Sequence, residues 1–249
     1  MSEAPGIALI TGASGHLGSA MAESMSHRSF TLAINDIDGK ASALLATSME
    51  DAAAFVADVS DPVAASQLVA DVIDRFGPID VLINAVGIEG PIAAIEDIQP
   101  HDLRHVFDVN VFSLFWLCRA VVPSMKQNGG GRIINLASGA GLAGGEFASP
   151  YHASKHAVVG LTRSLARELA PHQIAVNAVC PGYVDSPMVN RIIDAQIGVT
   201  GAAPNVLESI PMGRMANAEE VASVVTFLAL DAPLYMTGSC LGLDGGLRA

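Results

Sequence analysis

The chain is short of cysteine and of positive charge, and it has no apolar run as long as the ~18 residues a membrane-spanning helix needs. Cys118, Cys180 and Cys240 lie far apart, are odd in number and include no CxxC pair. That pattern excludes a disulfide framework and a structural zinc site, and leaves reduced, buried thiols in a cytoplasmic protein as the expectation. Lys and Arg total 13 against 25 Asp and Glu, a net charge of −12. So acidic a chain has no basic face for a phosphate backbone or an anionic lipid surface, so neither nucleic acid nor membrane is expected as a partner. The opening stretch "MSEAPGIALI" also lacks the basic segment of a secretory leader.

Apolar residues, in contrast, make up 51% of the 249, enough for one large core. They fall into short runs, "IALIT", "FTLAIND", "AAFVADV", "IDVLINAV", "RIINLAS", "IAVNAVC" and "SCLGLDGG", with little alternation of polar and apolar positions. Strands buried on both faces look like this. Longer stretches of helical spacing separate them. "SDPVAASQLVADVIDRFG" reads as a helix with Ser60 as N-cap, Pro62 in its first turn and Gly77 at its end. "NAEEVASVVTFLAL" opens with Asn217 and has Glu220 three residues later, a capping box. His101–Met125 is long enough to cross a sheet. This alternation predicts a doubly wound α/β Rossmann fold, a parallel sheet of about seven strands with helices on both faces, in one domain over 1–249. Ligands of such sheets bind beyond the carboxyl ends of the strands. Gly12–Gly18, Asp36, Asp58, Asn84–Gly87, Ser138 and Pro181–Ser186 then share one edge.

Three stretches along that edge carry chemistry. "TGASGHLG" (Thr11–Gly18) is a glycine turn between a strand and a helix, where backbone N–H groups can approach a pyrophosphate. Asp36 closes the second strand 18 residues past Gly18, the place of a carboxylate that accepts from an adenosine ribose. "YHASK" sets Tyr151 and Lys155 one helical turn apart on one face, where the cation would lower the pKa of the phenol and fit it for proton transfer. Ser138 ends a strand 13 residues before Tyr151. His152 and His156 have metal-ligand spacing, but no Glu lies between them and no third ligand is evident, so no metal is expected.

Taken together, the glycine turn, "DVS" at 58–60, Asn110 in "VNVF", Ser138, Tyr151-x-x-x-Lys155, "PGYVDSPM" at 181–188 and "LDGG" at 243–246 resemble the short-chain dehydrogenases/reductases over nearly the whole chain. The resemblance implies a catalytic tetrad. Ser138 would polarise the substrate oxygen and Tyr151 exchange its proton, while Lys155 would hold the nicotinamide ribose and tune Tyr151. Asn110 would anchor a water relay to Lys155. It further implies cofactor contacts from Gly12, Ser14, Gly15, His16, Leu17 and Gly18, with Asp58 and Val59 facing the adenine and Asn84 and Gly87 on the adenosine side. Val184 and Ser186 would hold the carboxamide, next to Pro181, Gly182 and Met188. Two departures stand out: TGxxGxxG in place of TGxxxGxG, with His16 where glycine is usual, and "NAVG" at 84–87 in place of NNAG.

The expectation is an NAD-dependent enzyme interconverting a small secondary alcohol and a ketone. A 3-oxoacyl-thioester reductase and a non-catalytic NAD-sensing regulator are the alternatives. The resemblance implies a homotetramer, in keeping with apolar residues on several sides of the helices at 101–126 and 152–169 (Phe112, Phe115, Trp116, Val159, Leu165). The segment 188–212 reads as an apolar substrate lid, and Glu146 as the acidic group closest to the site.

Overall fold

A computed structural model describes residues 6–28 and 30–249; the first part of the stretch read for a leader therefore lies outside the described residues. All seven apolar runs form strands: β1 (Gly6–Thr11), β2 (Phe30–Asp36), β3 (Ala52–Val56), β4 (Val81–Asn84), β5 (Gly131–Leu136), β6 (Ile174–Pro181) and β7 (Cys240–Leu243). They pair in parallel in the order β3-β2-β1-β4-β5-β6-β7. The helices are α1 (His16–Ser26), α2 (Gly39–Thr47), α3 (Pro62–Phe76), α4 (Pro100–Phe107), α5 (Ser113–Gln127), α6 (Ser149–Leu169), α7 (Pro187–Thr200), α8 (Val206–Ser209) and α9 (Ala218–Thr226).

Successive strand residues point to opposite faces, and here both faces are covered. Ala8, Ile10, Leu32, Ile34, Ile83, Ile134 and Val179 pack with Met21, Met25, Val221 and Val225 of α1 and α9. Ile7, Leu9, Leu82, Ile133 and Val176 pack with Leu68, Val72, Leu117, Val121, Met125 and Leu169 of α3, α5 and α6. Each fully buried aliphatic side chain is worth ~1.5–3 kcal/mol, so both layers contribute to holding the sheet. The lack of alternation in the sequence is the imprint of these two cores.

The helix ends follow local chemistry. Asn217 and Glu220 form the expected capping box on α9. On α3 the cap is Asp61, not Ser60: its carboxylate accepts from the N–H groups of Val63 and Ala64, both at 2.8 Å. Pro62 occupies the first helical position, so the residue directly before it must cap. Ser60 instead donates to Asp58, 2.7 Å away.

The stretch from Pro100 to Gln127 is helical throughout, with a π-helical turn at Asp108–Phe112 between α4 and α5. By length and composition it could cross a membrane. In this fold Leu114, Leu117, Cys118, Val121 and Met125 are buried against the core.

The order of strands reverses between β1 and β4, whose last residues Thr11 and Asn84 are register partners. A crevice opens outside the carboxyl ends at such a point.

Candidate active site

The glycine turn leaves β1 and enters α1 at His16. Gly12 has φ +62°, and a Cβ there would stand 2.9 Å from the Val86 backbone. A Cβ on Gly18 would collide with the carbonyl of Gly12 and, at 2.7 Å, with Cα of Ala13. Only glycine lets turn and helix close on each other at these two positions. Gly15 and His16 are exposed at the helix N-terminus, and Leu17 is half-buried.

The Ser14 hydroxyl is buried without a protein partner. Its N–H donates to Asp36 Oδ2 at 2.9 Å, and Asp38 N–H donates to Asp36 Oδ1 at 3.1 Å. Asp36 thus sits against the glycine turn with one lone pair of each oxygen still free. A bare turn, an unpaired buried hydroxyl and a half-used carboxylate fit the pyrophosphate and ribose of a dinucleotide.

Not every expected contact reaches the crevice through its side chain. Asn84 is fully buried: its amide donates to Asn135 at 2.8 Å, and Asn135 donates to Thr162 at 2.9 Å. It stitches β4 to β5 and α6, so its side chain is not on the adenosine side of the cleft. Asp58 is engaged by the N–H and hydroxyl of Ser60, and Val59 is buried. Pro181 ends β6, Val184 is buried, and Ser186 caps α7 by accepting from Val189 N–H at 3.3 Å. Gly182 lies against Asp244, and Met188 is half-buried on the first turn of α7.

Ser138, Tyr151, Lys155 and Asn110 do converge. Ser138 extends from β5 and accepts from Ala140 N–H at 3.1 Å. That leaves its single proton uncommitted, and Ser138 acts on Tyr151 to lower the phenol pKa. Lys155 donates to the carbonyl of Leu136 at 2.9 Å, and its Nζ lies 5.7 Å from the centre of the Tyr151 ring. Asn110 occupies the π-helical turn. Its Oδ1 accepts from Ile88 N–H at 2.8 Å, and its Nδ2 donates to Ile88 O at 2.9 Å and Ser154 Oγ at 3.0 Å. A Cβ at Gly87 would stand 3.3 Å from Lys155 Nζ and 3.4 Å from Asn110 Oδ1. Asn110 therefore fixes Ile88, next to Gly87, which lies against the Lys155 ammonium.

The electrostatics differ from the expectation that Lys155 lowers the phenol pKa. Burial raises the Tyr151 pKa, the Ser138 hydrogen bond lowers it, and the negative charge of Glu89 adds to the rise; the outcome is above the usual tyrosine value. Burial also lowers Lys155, to about 8. The phenol is thus neutral at physiological pH, a proton donor in waiting. A tyrosinate difference titration of the cofactor-free protein against Tyr151→Phe should show no component below the usual ~10. A component ionising near neutrality would contradict this.

Sequence reasoning missed two charged pairs here. Glu89 accepts from Arg191 of α7 at 2.5 Å and 3.3 Å, whereas Glu146 is exposed. The acidic group whose charge bears on the phenol is therefore Glu89, on the loop that Asn110 holds. Arg248 pairs with Asp244 at 2.7 Å, and a Cβ on Gly139, next to Ser138, would run into its guanidinium. The i,i+4 spacing of Asp244 and Arg248 was the available signal. His152 and His156 each use Nδ1 on a backbone carbonyl, those of Ala143 and His152. Among the described residues no cluster of three or more His, Cys, Asp or Glu is placed for a metal ion.

Comparison with known proteins gives the family. A family model described as enoyl-(acyl carrier protein) reductase matches residues 12–248. The chain belongs to the short-chain dehydrogenase/reductase family of oxidoreductases. It is 36% identical to the NAD(+) 2-dehydro-3-deoxy-L-rhamnonate dehydrogenase of a Sphingomonas strain, over 96% of this chain and 94% of that one. The crystal structure of levodione reductase superposes with a TM-score of 0.90 at 32% identity, covering 97% of this chain and 96% of its own. A 3-ketoacyl-(acyl-carrier-protein) reductase from Brucella melitensis, complexed with NADH, gives 0.89 at 29% identity, with 98% of each chain covered. Family neighbours thus bind nicotinamide cofactors.

Proposed function

We propose that this protein is an NAD(H)-dependent oxidoreductase that interconverts a small secondary alcohol and a ketone. The observation that carries the reading is the Ser138–Tyr151–Lys155–Asn110 convergence beside a glycine turn whose neighbouring carboxylate is Asp36. The nicotinamide, when bound, supplies or accepts the hydride. Gly12, Ser14 and Gly18 would cradle the pyrophosphate, and Asp36 would take the ribose hydroxyls. Lys155 would hold the nicotinamide ribose, and Val184 and Ser186 the carboxamide end.

The rest of the chemistry belongs to the protein. Ser138 and Tyr151 bind the substrate oxygen together. In reduction the neutral phenol gives that oxygen its proton; in oxidation it must first lose its own. Because burial keeps the phenol protonated, reduction should be flat through neutral pH, while oxidation should rise with hydroxide until the phenol titrates. Initial rates in both directions check this; oxidation that falls as pH rises through neutrality would contradict it.

A NADH absorbance assay over a panel of ketones, with a 3-oxoacyl thioester in the same panel, tests the function itself. Turnover of simple ketones supports the reading. Turnover of the thioester alone would replace it with the 3-oxoacyl reductase alternative, and NADH binding without turnover of any member with the sensor alternative. The three free cysteines suit a reducing compartment such as the cytoplasm. Phe112 of the π-helical turn and Phe115 of α5 are exposed beside half-buried Trp116, apolar surface that supports assembly as a homotetramer, whereas Val159 is spent on the core.

A further inference from the structure

The lid was expected to be apolar, and much of its apolar surface turns outward instead: Ile197, Val199, Leu207 and Met212 are all exposed. What the lid helix α7 presents toward the catalytic loop is Arg191. Its Nε and Nη2 both reach Glu89, 102 residues away in the chain. Glu89 follows Ile88, whose N–H and C=O are both bonded to Asn110. The same loop is tied farther on by Ala93 N–H, which donates to Phe147 O at 2.8 Å, four residues before Tyr151. The loop that carries the carboxylate is therefore held at both ends, next to Gly87 against the Lys155 ammonium and next to the turn that leads to Tyr151.

Glu89 is also poised as an acceptor. Burial would raise its pKa, but the hydrogen bond and charge of Arg191 and its own backbone hold the carboxyl below the ordinary value, so it stays ionised. Arg191 occupies one lone pair on each oxygen and the backbone of Glu89 a third, which leaves one acceptor position free. With the charge already matched by Arg191, a cationic amine gains little there, and an anionic group offers no proton to a carboxylate that can only accept. A neutral hydroxyl gains a charge-assisted hydrogen bond.

We propose that Glu89, braced by Arg191, determines specificity by accepting a hydrogen bond from a hydroxyl on the carbon next to the reacting one, which makes α-hydroxyketones and vicinal diols the substrate class. This rests on the ketone–alcohol reading above. A site built to bond a hydroxyl rejects the analogue lacking it far more strongly than an apolar pocket rejects the hydroxyl.

Hydroxyacetone and 2-butanone, alike in size and differing by hydroxyl against methyl, are the probes, with acetoacetate as the anionic arm. The wild type should prefer hydroxyacetone in kcat/KM by about 10- to 100-fold, the range of a hydrogen bond to a charged group. Glu89→Leu should bring the two ketones close to equal, and Glu89→Gln should fall between. Arg191→Met removes the same brace but keeps the carboxylate, so it should raise both KM values and preserve most of the preference. In the tyrosinate titration, Glu89→Gln should move Tyr151 downward, a shift that loss of the brace in Arg191→Met would not produce. Equal losses for both ketones in Glu89→Leu and Arg191→Met would reduce the pair to a lid clasp and overturn the assignment. So would a wild-type preference for acetoacetate that Arg191→Met abolishes. Wild-type protein that binds NADH and reduces neither neutral ketone would overturn the ketone–alcohol reading, and this inference with it.

Discussion

Tyr151→Phe should lose most of its turnover, about 10²- to 10⁴-fold in kcat, while binding NADH nearly as well as the wild type. The substitution removes one phenol hydroxyl and leaves the ring, the Lys155 bond to Leu136 and the Asn110 bonds to Ile88 in place. Ser138 keeps its bond from Ala140 N–H, so the folding cost should be small. Lys155→Met should behave differently. It removes an ammonium that burial has already pushed down to about 8, so the fold loses a desolvated cation and its Tm should equal or exceed that of the wild type. Activity should still fall, and NADH affinity with it, because the proposed ribose contact is gone. Stopped-turnover assays, NADH fluorescence titration and thermal melts separate the two variants. A Phe variant keeping more than about a tenth of the wild-type rate would remove Tyr151 from the proton path.

The contrast between these variants depends on burial, and burial is what the sequence expressed least well. The spacing of Tyr151 and Lys155 was legible because a helix places residues four apart on one face. Their effect on each other was not, because it depends on how much protein covers both. The strands were legible for a related reason: two covering layers erase alternation, and each run lies between turn and cap residues. Asn84 shows where position misleads. Its place at the end of β4 suggested the crevice, but strand pairing aims its amide at Asn135, inside the sheet. Glu89 and Arg191 left no local trace, since only the folding of α7 over the β4 loop brings them together. Asn110 lay between these cases. An amide inside an apolar helical stretch was conspicuous, and the π-helical turn that presents it to Ile88 was not.

Cofactor choice should follow Asp36, with NADH preferred over NADPH by about 100-fold in kcat/KM. The carboxylate is fixed against the glycine turn by Ser14 N–H and against the next turn by Asp38 N–H. It can accept from ribose hydroxyls with its remaining lone pairs, but a 2′-phosphate there would set negative charge against negative charge. Two unit charges 4 Å apart exchange about 4 kcal/mol at an effective dielectric of 20. A hundredfold preference needs roughly 3 kcal/mol, so the repulsion is large enough even after some screening by solvent. No Arg or Lys occurs in Thr11–Gly18 or at 35–39 to offset it. Ile37 is 69% exposed next to the carboxylate, so an arginine there would meet the phosphate without disturbing the core. Asp36→Ala with Ile37→Arg should therefore reverse the preference, whereas Asp36→Ala alone should weaken NADH use and only relax the discrimination, because Ser14 N–H then loses its anchor. Raising the salt concentration should narrow the wild-type preference, as screening weakens the repulsion but not the ribose hydrogen bonds. Comparable kcat/KM for the two cofactors in the wild type at low salt would show that Asp36 does not face the ribose.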